Sequence, residues 1–164
     1  MPAQPLSSPR YVDPRGSRFA AWITTAVLAL VILTGSGGLL AAQTFVFVVG
    51  AVFGLRRAPY AAAFGLVKRV TRLGPPSQLE AELPLRFAQL VGAVFGVIGT
   101  LGFGVGSVAI GTTAAAFALA AAFLNAAFGI CLGCELYLIV RRLTGRGAIT
   151  RFVPARTIAE GNTA

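Results

Sequence analysis

Cys131 and Cys134 are the only cysteines of the 164-residue chain and stand in the run Gly129-Ile130-Cys131-Leu132-Gly133-Cys134-Glu135. A C-x-x-C spacing lets two thiols face one another across a helical turn, which suits a reversible disulfide or a pair of metal ligands. Glu135 directly follows the second cysteine. Its carboxylate is a candidate proton acceptor for a thiol and equally a partner for a basic residue such as Arg86 or Arg57. An ionised carboxylate beside Cys134 raises the thiol pKa, so nearby arginines are the feature that would favour thiolate. The alternative is packing alone: two small, soft side chains between helices, with Gly129 and Gly133 at small-x-x-x-small spacing.

The chain has no histidine. Haem and zinc sites usually want imidazole, and Ser-His or Cys-His nucleophile pairs require it. Two thiolates would need two further metal ligands, from Glu135 or a second protomer, so neither a metal nor a cofactor is expected. No phosphate loop, dinucleotide fingerprint or zinc-protease motif is present.

The elements that must position the cysteines are membrane helices. Apolar residues make up 56% of the chain against 12% charged, a balance outside that of soluble domains. Phe19 to Leu55 is 37 residues without an Asp, Glu, Lys or Arg, and Phe87 to Cys134 is 48 more. One bilayer crossing takes about 20 helical residues, so each run is read as two crossings. Glycine clusters at Thr34-Gly35-Ser36-Gly37-Gly38 and Gly102-Phe103-Gly104-Val105-Gly106-Ser107 supply the turns. The expected class is all-α: an integral membrane four-helix bundle over 18–143, with spans at about 18–34, 39–56, 86–103 and 108–130. An interfacial helix is expected at about 59–72, where Tyr60, Phe64, Val67 and Val70 share a face. Residues 1–17 and 144–164 read as tails, the first of them mobile.

All fourteen basic residues lie before, between or after the two apolar runs, and none lies in a glycine turn. The positive-inside bias then places both termini and the middle loop in the cytoplasm. Trp22, Tyr11, Tyr60 and Tyr137 lie at or beyond the same boundary, as an interfacial aromatic belt does. A cleaved secretory signal ending near Leu40-Ala41-Ala42 is the competing reading of the first helix, which is longer than a signal's apolar region. The net charge of +9 is assigned to anionic lipid head groups and not to nucleic acid.

Counted along the fourth helix at ~1.5 Å per residue, Cys131 falls about 35 Å from Val108, just past a core of about 30 Å. The pair is therefore expected at the cytoplasmic membrane surface, where thiols are held reduced, so a dithiol is the expected resting state. Gln89 and Asn125 lie inside the same boundary. Polar side chains there tend to face a bundle interior or a site, so both are expected to converge with the thiols or to hydrogen-bond across helices.

Arg18-Phe19-Ala20 and Arg86-Phe87-Ala88 open the two halves alike, and Phe53-Gly54-Leu55 with Tyr60 parallels Phe128-Gly129-Ile130 with Tyr137. The match implies two tandem helical hairpins related as a parallel repeat. Gly50-Ala51-Val52-Phe53-Gly54 and Gly92-Ala93-Val94-Phe95-Gly96 are identical outside their numbering. Their G-x-x-x-G spacing suits packing within the bundle or, secondarily, a homodimer contact.

Arg86-Phe87-Ala88-Gln89 together with Gly129-Ile130-Cys131-Leu132-Gly133-Cys134 resembles the two signature motifs of the bacterial family called domain of unknown function 4395, over roughly residues 12 to 143. Ile130 stands where the family usually has Phe, and the cysteine spacing is intact. A looser likeness, on architecture only, is to four-helix membrane proteins of the DoxX kind. The resemblance implies a multi-pass protein of the bacterial cytoplasmic membrane and, as partners, thioredoxin-like or sulfurtransferase proteins. The expected function is a thiol-disulfide or sulfur relay through Cys131 and Cys134, with a non-catalytic membrane scaffold as the rival and a small-solute carrier past Gln89 and Asn125 as a third reading.

Overall fold

The computed structural model describes residues 10–145 and 150–155. Residues 1–9 of the expected first tail, and 146–149 and 156–164 of the expected last one, lie outside the described residues. The fold is all-α apart from one small sheet.

Helix α1 runs Pro14–Thr34, with Asp13 as its N-cap accepting from the Arg15 N–H at 3.0 Å and proline at its start. Gly35 ends it in the left-handed region at φ 63°, and the next residue, Ser36, caps α2 (Gly37–Phe53) through the Leu39 N–H. The same pair of devices joins the second two long helices. Gly106, at φ 79°, precedes Ser107, which caps α5 (Val108–Phe128) after α4 (Glu82–Gly104) has ended. Between the halves lie a 3-10 turn (Leu55–Arg57) and α3 (Pro59–Val70), and α6 (Leu132–Leu143) follows α5.

Helices α1, α4 and α5 are each long and apolar enough to cross a membrane, whereas α2 is apolar but only 17 residues long. At ~1.5 Å per residue α2 covers about 25 Å. It stops short of the expected residue 56 because Gly54, at φ 88° and ψ 161°, leaves helical geometry. The four long helices pack with α2 on α4, α1 on α5 and α4 on α5. Leu28, Val31, Leu40, Phe47, Ala93, Ala115 and Ala118 form the buried centre. The identical pentapeptides serve this packing: Gly92 faces Phe47 and Gly96 faces Thr44 of α2, while Gly50 faces Gln89 of α4. Among apolar helices such van der Waals fit, more than the hydrophobic effect, holds neighbours together.

Two expectations are corrected here. Residues 11–17 are not a mobile tail, because Tyr11–Val12 forms strand β1 and Pro14 already opens α1. The fourth long helix does not continue to residue 130, because Gly129 takes the left-handed conformation at φ 71° and starts a separate element. Strand β1 pairs antiparallel with β2 (Gln78–Ala81), which pairs antiparallel with β3 (Phe152–Pro154). The register sets Tyr11 opposite Ala81 and Glu80 opposite Phe152. The sheet thereby ties the segment before α1, the middle loop and the segment after α6 together at one end of the bundle.

Candidate thiol site and the cavity beside it

The chain turns sharply into the cysteine motif. The Gly129 N–H bonds to the Asn125 carbonyl at 3.1 Å and the Ile130 N–H to the Leu124 carbonyl at 3.3 Å, closing the C-terminus of α5. Cys131 is then extended, at φ −90° and ψ 97°, and is the N-cap of α6. Its Sγ accepts from the Cys134 N–H at 3.3 Å, and the two sulfurs are bonded as a disulfide across a Cα separation of 5.2 Å. The structure thus joins the two sulfurs where a dithiol was the expected resting state.

Both sulfurs are withdrawn from the surface, Cys131 at 4% exposure and Cys134 at 0%. They pack against Leu85 of α4, with Val12, Leu55 and Ala88 around them. Gly133 permits this approach, since a β-carbon there would stand 2.6 Å from the Ala88 Cα.

Arg151 clasps the two ends of the motif. Its Nε pairs with Glu80 Oε1 at 2.8 Å, its Nη1 with Glu135 Oε1 at 3.3 Å, and its Nη2 donates to the Gly129 carbonyl at 3.4 Å. One guanidinium therefore holds residues on both sides of the cysteine pair to the sheet. Glu80, at 2% exposure, also accepts from Ser17 Oγ at 3.0 Å, which anchors the clasp to α1.

Glu135 is thus an exposed carboxylate partnered by Arg151, where Arg86 or Arg57 was expected. Arg86 works elsewhere: its Nε donates to the Ala51 carbonyl at 2.9 Å and its Nη2 to the Val52 carbonyl at 2.7 Å, capping α2. Gln89 and Asn125 both line one cavity of about 590 Å³, and Cys131 lines it too. The cavity runs from the sheet end inward to Phe95 and Phe117 in the middles of α4 and α5, and its walls are mainly apolar. Helix α3 borders it with Tyr60, Phe64 and Lys68. Phe64 packs on Phe19, Lys68 Nζ lies 3.7 Å from Asp13 Oδ2, and Tyr60 donates to Gln43 Oε1 at 2.6 Å. Gln43 is 1% exposed and donates to Thr24 Oγ1 at 3.4 Å. Burial pushes the Tyr60 phenol above its ordinary value of 10.0.

Sequence reasoning missed Arg151, Glu80 and the Tyr60-Gln43-Thr24 chain. Gln43 had a signal, an amide amid apolar helix residues like Gln89 and Asn125. Arg151 had none, because it lies in a short segment without periodicity.

The chain matches the family model described as Domain of unknown function (DUF4395) over residues 12–142. It belongs to that family. In this member of DUF4395 the matched span holds the six described helices up to Arg142, the cysteine pair, Val12 of strand β1 and the whole of β2, while Arg151 and β3 come after it. No curated protein and no solved structure matches the chain. Among the described residues no group of three or more Cys, Asp or Glu side chains is placed to hold a metal ion.

Proposed function

We propose that this DUF4395 protein is a multi-pass protein of the bacterial cytoplasmic membrane whose Cys131–Cys134 pair cycles between disulfide and dithiol, exchanging electrons or sulfur with a thioredoxin-like or sulfurtransferase protein at the cytoplasmic face. The observation that carries this reading is the placement of a bonded C-x-x-C pair at the start of α6. Three helices long and apolar enough to cross a membrane support the location, and the basic residues around both runs support the orientation. Cys134 is wholly enclosed and Cys131 lines a cavity, so Cys131 is the sulfur that is attacked and Cys134 the one that resolves. A partner coming from water reaches the pair when the Arg151 clasp swings aside.

The packing of both sulfurs against Leu85 favours a second reading, a scaffold in which the pair only braces α6 on α4. Acid quenching of cells followed by mass-tag alkylation, before and after an oxidant or thiosulfate challenge, separates the two. A reversible change in the thiol state of the pair is expected. A pair that keeps one state throughout the challenge would leave the scaffold.

A further inference from the structure

We propose that the cavity beside Cys131 binds a membrane-soluble quinone, which takes the electrons that the cysteine pair receives. The proposal rests on the redox reading above and names the second substrate of the same site. Its grounds are the surroundings of the disulfide. Both cysteines are buried, and Arg151 ties Gly129 and Glu135, on either side of them, to Glu80 of the sheet. Cys131 borders a cavity of about 590 Å³ with mainly apolar walls, which runs from the sheet inward between helices long and apolar enough to cross a membrane. A volume in this range suits a ring-bearing ligand, and the mainly apolar walls favour an apolar electron carrier. Phe47, Phe95 and Phe117 line its inner part, and the Gln89 and Asn125 amides bring N–H donors to walls that are mainly apolar. Donors of that kind fit the carbonyl oxygens of a quinone, whereas a lipid acyl chain leaves them without a use.

The chemistry balances without a further reagent. The two S–H bonds of the reduced pair break and one S–S bond forms. The two electrons and two protons released convert the two C=O groups of the quinone to the two C–OH groups of the hydroquinone. Cys131 faces the ring and Cys134 closes the disulfide behind it. The partner's dithiol then reduces the disulfide again, so the net flow runs from the soluble dithiol to the membrane quinone pool.

The test uses the full chain in phospholipid nanodiscs, reduced and freed of reductant, with a decyl-substituted benzoquinone as the probe. Bound quinone and the thiol count of the pair are followed together. Ala121→Phe and Ala20→Leu, at two separate walls of the cavity, serve as filled variants, each first shown to re-form its disulfide with diamide. The expected result is one hydroquinone per disulfide formed, slowed by roughly an order of magnitude in the filled variants. If diamide or a protein disulfide oxidises the pair but the quinone does not, or if the filled variants react as fast as the parent, the quinone proposal is overturned and the relay reading survives. If the quinone binds while the pair reacts with no oxidant, both fall.

Discussion

Arg18 and Arg86 occupy equivalent places in the two halves, and each sends its guanidinium across to the C-terminus of a helix in the other half. Arg18 of α1 donates to the Ala126 and Ala127 carbonyls of α5 at 3.2 and 3.4 Å, as Arg86 of α4 donates to the end of α2. The rings that follow are also matched, but each packs on the short helix after its own hairpin: Phe19 on Phe64 of α3, and Phe87 on Tyr137 of α6. The tandem repeat is therefore built as two hairpins laced together through their first helices. Replacing Arg86 by Ala uncaps α2 and is expected to cost about 1–2 kcal/mol, after allowance for its part-exposed bonds. Arg18→Ala acts through longer bonds and is expected to cost less. Thermal unfolding in detergent ranks them, and a larger loss for Arg18→Ala would refute the ranking.

Cys131 and Cys134 differ in access, so their serine variants will differ in what they trap. Cys134→Ser leaves Cys131 able to hold a mixed disulfide with a thioredoxin-like probe, whereas Cys131→Ser leaves only the enclosed Cys134. Non-reducing gels after incubation with an oxidised probe should show an adduct for Cys134→Ser and little or none for Cys131→Ser. Equal trapping by both variants would remove the assignment of roles.

Arg151→Ala should expose the disulfide to water without disturbing the long helices, since its three partners lie on the sheet, on Glu135 and on the Gly129 carbonyl. Reduction by a charged phosphine is expected to quicken roughly tenfold, equivalent to ~1.4 kcal/mol of lost closure. Arg151→Lys, which keeps the charge but loses the fork of donors, should fall between. An unchanged rate in the alanine variant would show that the clasp does not govern access.

Gly133→Ala places a methyl group against the Ala88 backbone, which cannot move aside as a flexible side chain would. The separation of α6 from α4 that follows is expected to cost about 1–3 kcal/mol. Gly104→Ala, where a β-carbon meets nothing within 4 Å, is the matched control and should be neutral or slightly stabilising. Their thermal midpoints should therefore move apart, and a Gly133→Ala midpoint at or above that of Gly104→Ala would contradict the packing.

Tyr60 supplies a pH dependence. Its folded-state pKa is raised by burial above 10.0, so the folded chain holds this proton more tightly than the unfolded chain does. The stability it contributes is present in full below pH 10 and is lost as pH rises through the raised folded value. Ultraviolet titration of the three tyrosines should show one ionising late, and that late step should vanish in Tyr60→Phe. Loss of a step near the ordinary value instead would mean that the phenol is not enclosed.

The long helices were legible because apolar runs, basic flanks and Gly-Ser turns all mark the same boundaries. Asp13 capping α1 and Ser36 capping α2 show how local those signals are. The sheet was not legible: its strands are two to four residues long and pair across about 70 positions of sequence, too short for an alternating pattern to register. The start of α6 was hidden for a different reason. Apolar residues continue through Ile130 and Leu132, so the break depends on the left-handed conformation of Gly129 and on a cysteine serving as an N-cap, a position where Ser, Thr, Asn or Asp is usual. Gln89 and Asn125 were found from polarity alone, whereas the clasp of Arg151 exists only once strand β3 has folded back onto β2.

That return has a consequence for how the protein is made. Residue 151 leaves the ribosome after all six described helices, so α6 can form before the third strand that clasps it. Pairing of the third strand with the second is therefore the last step that draws Glu80, Glu135 and Gly129 together around the motif.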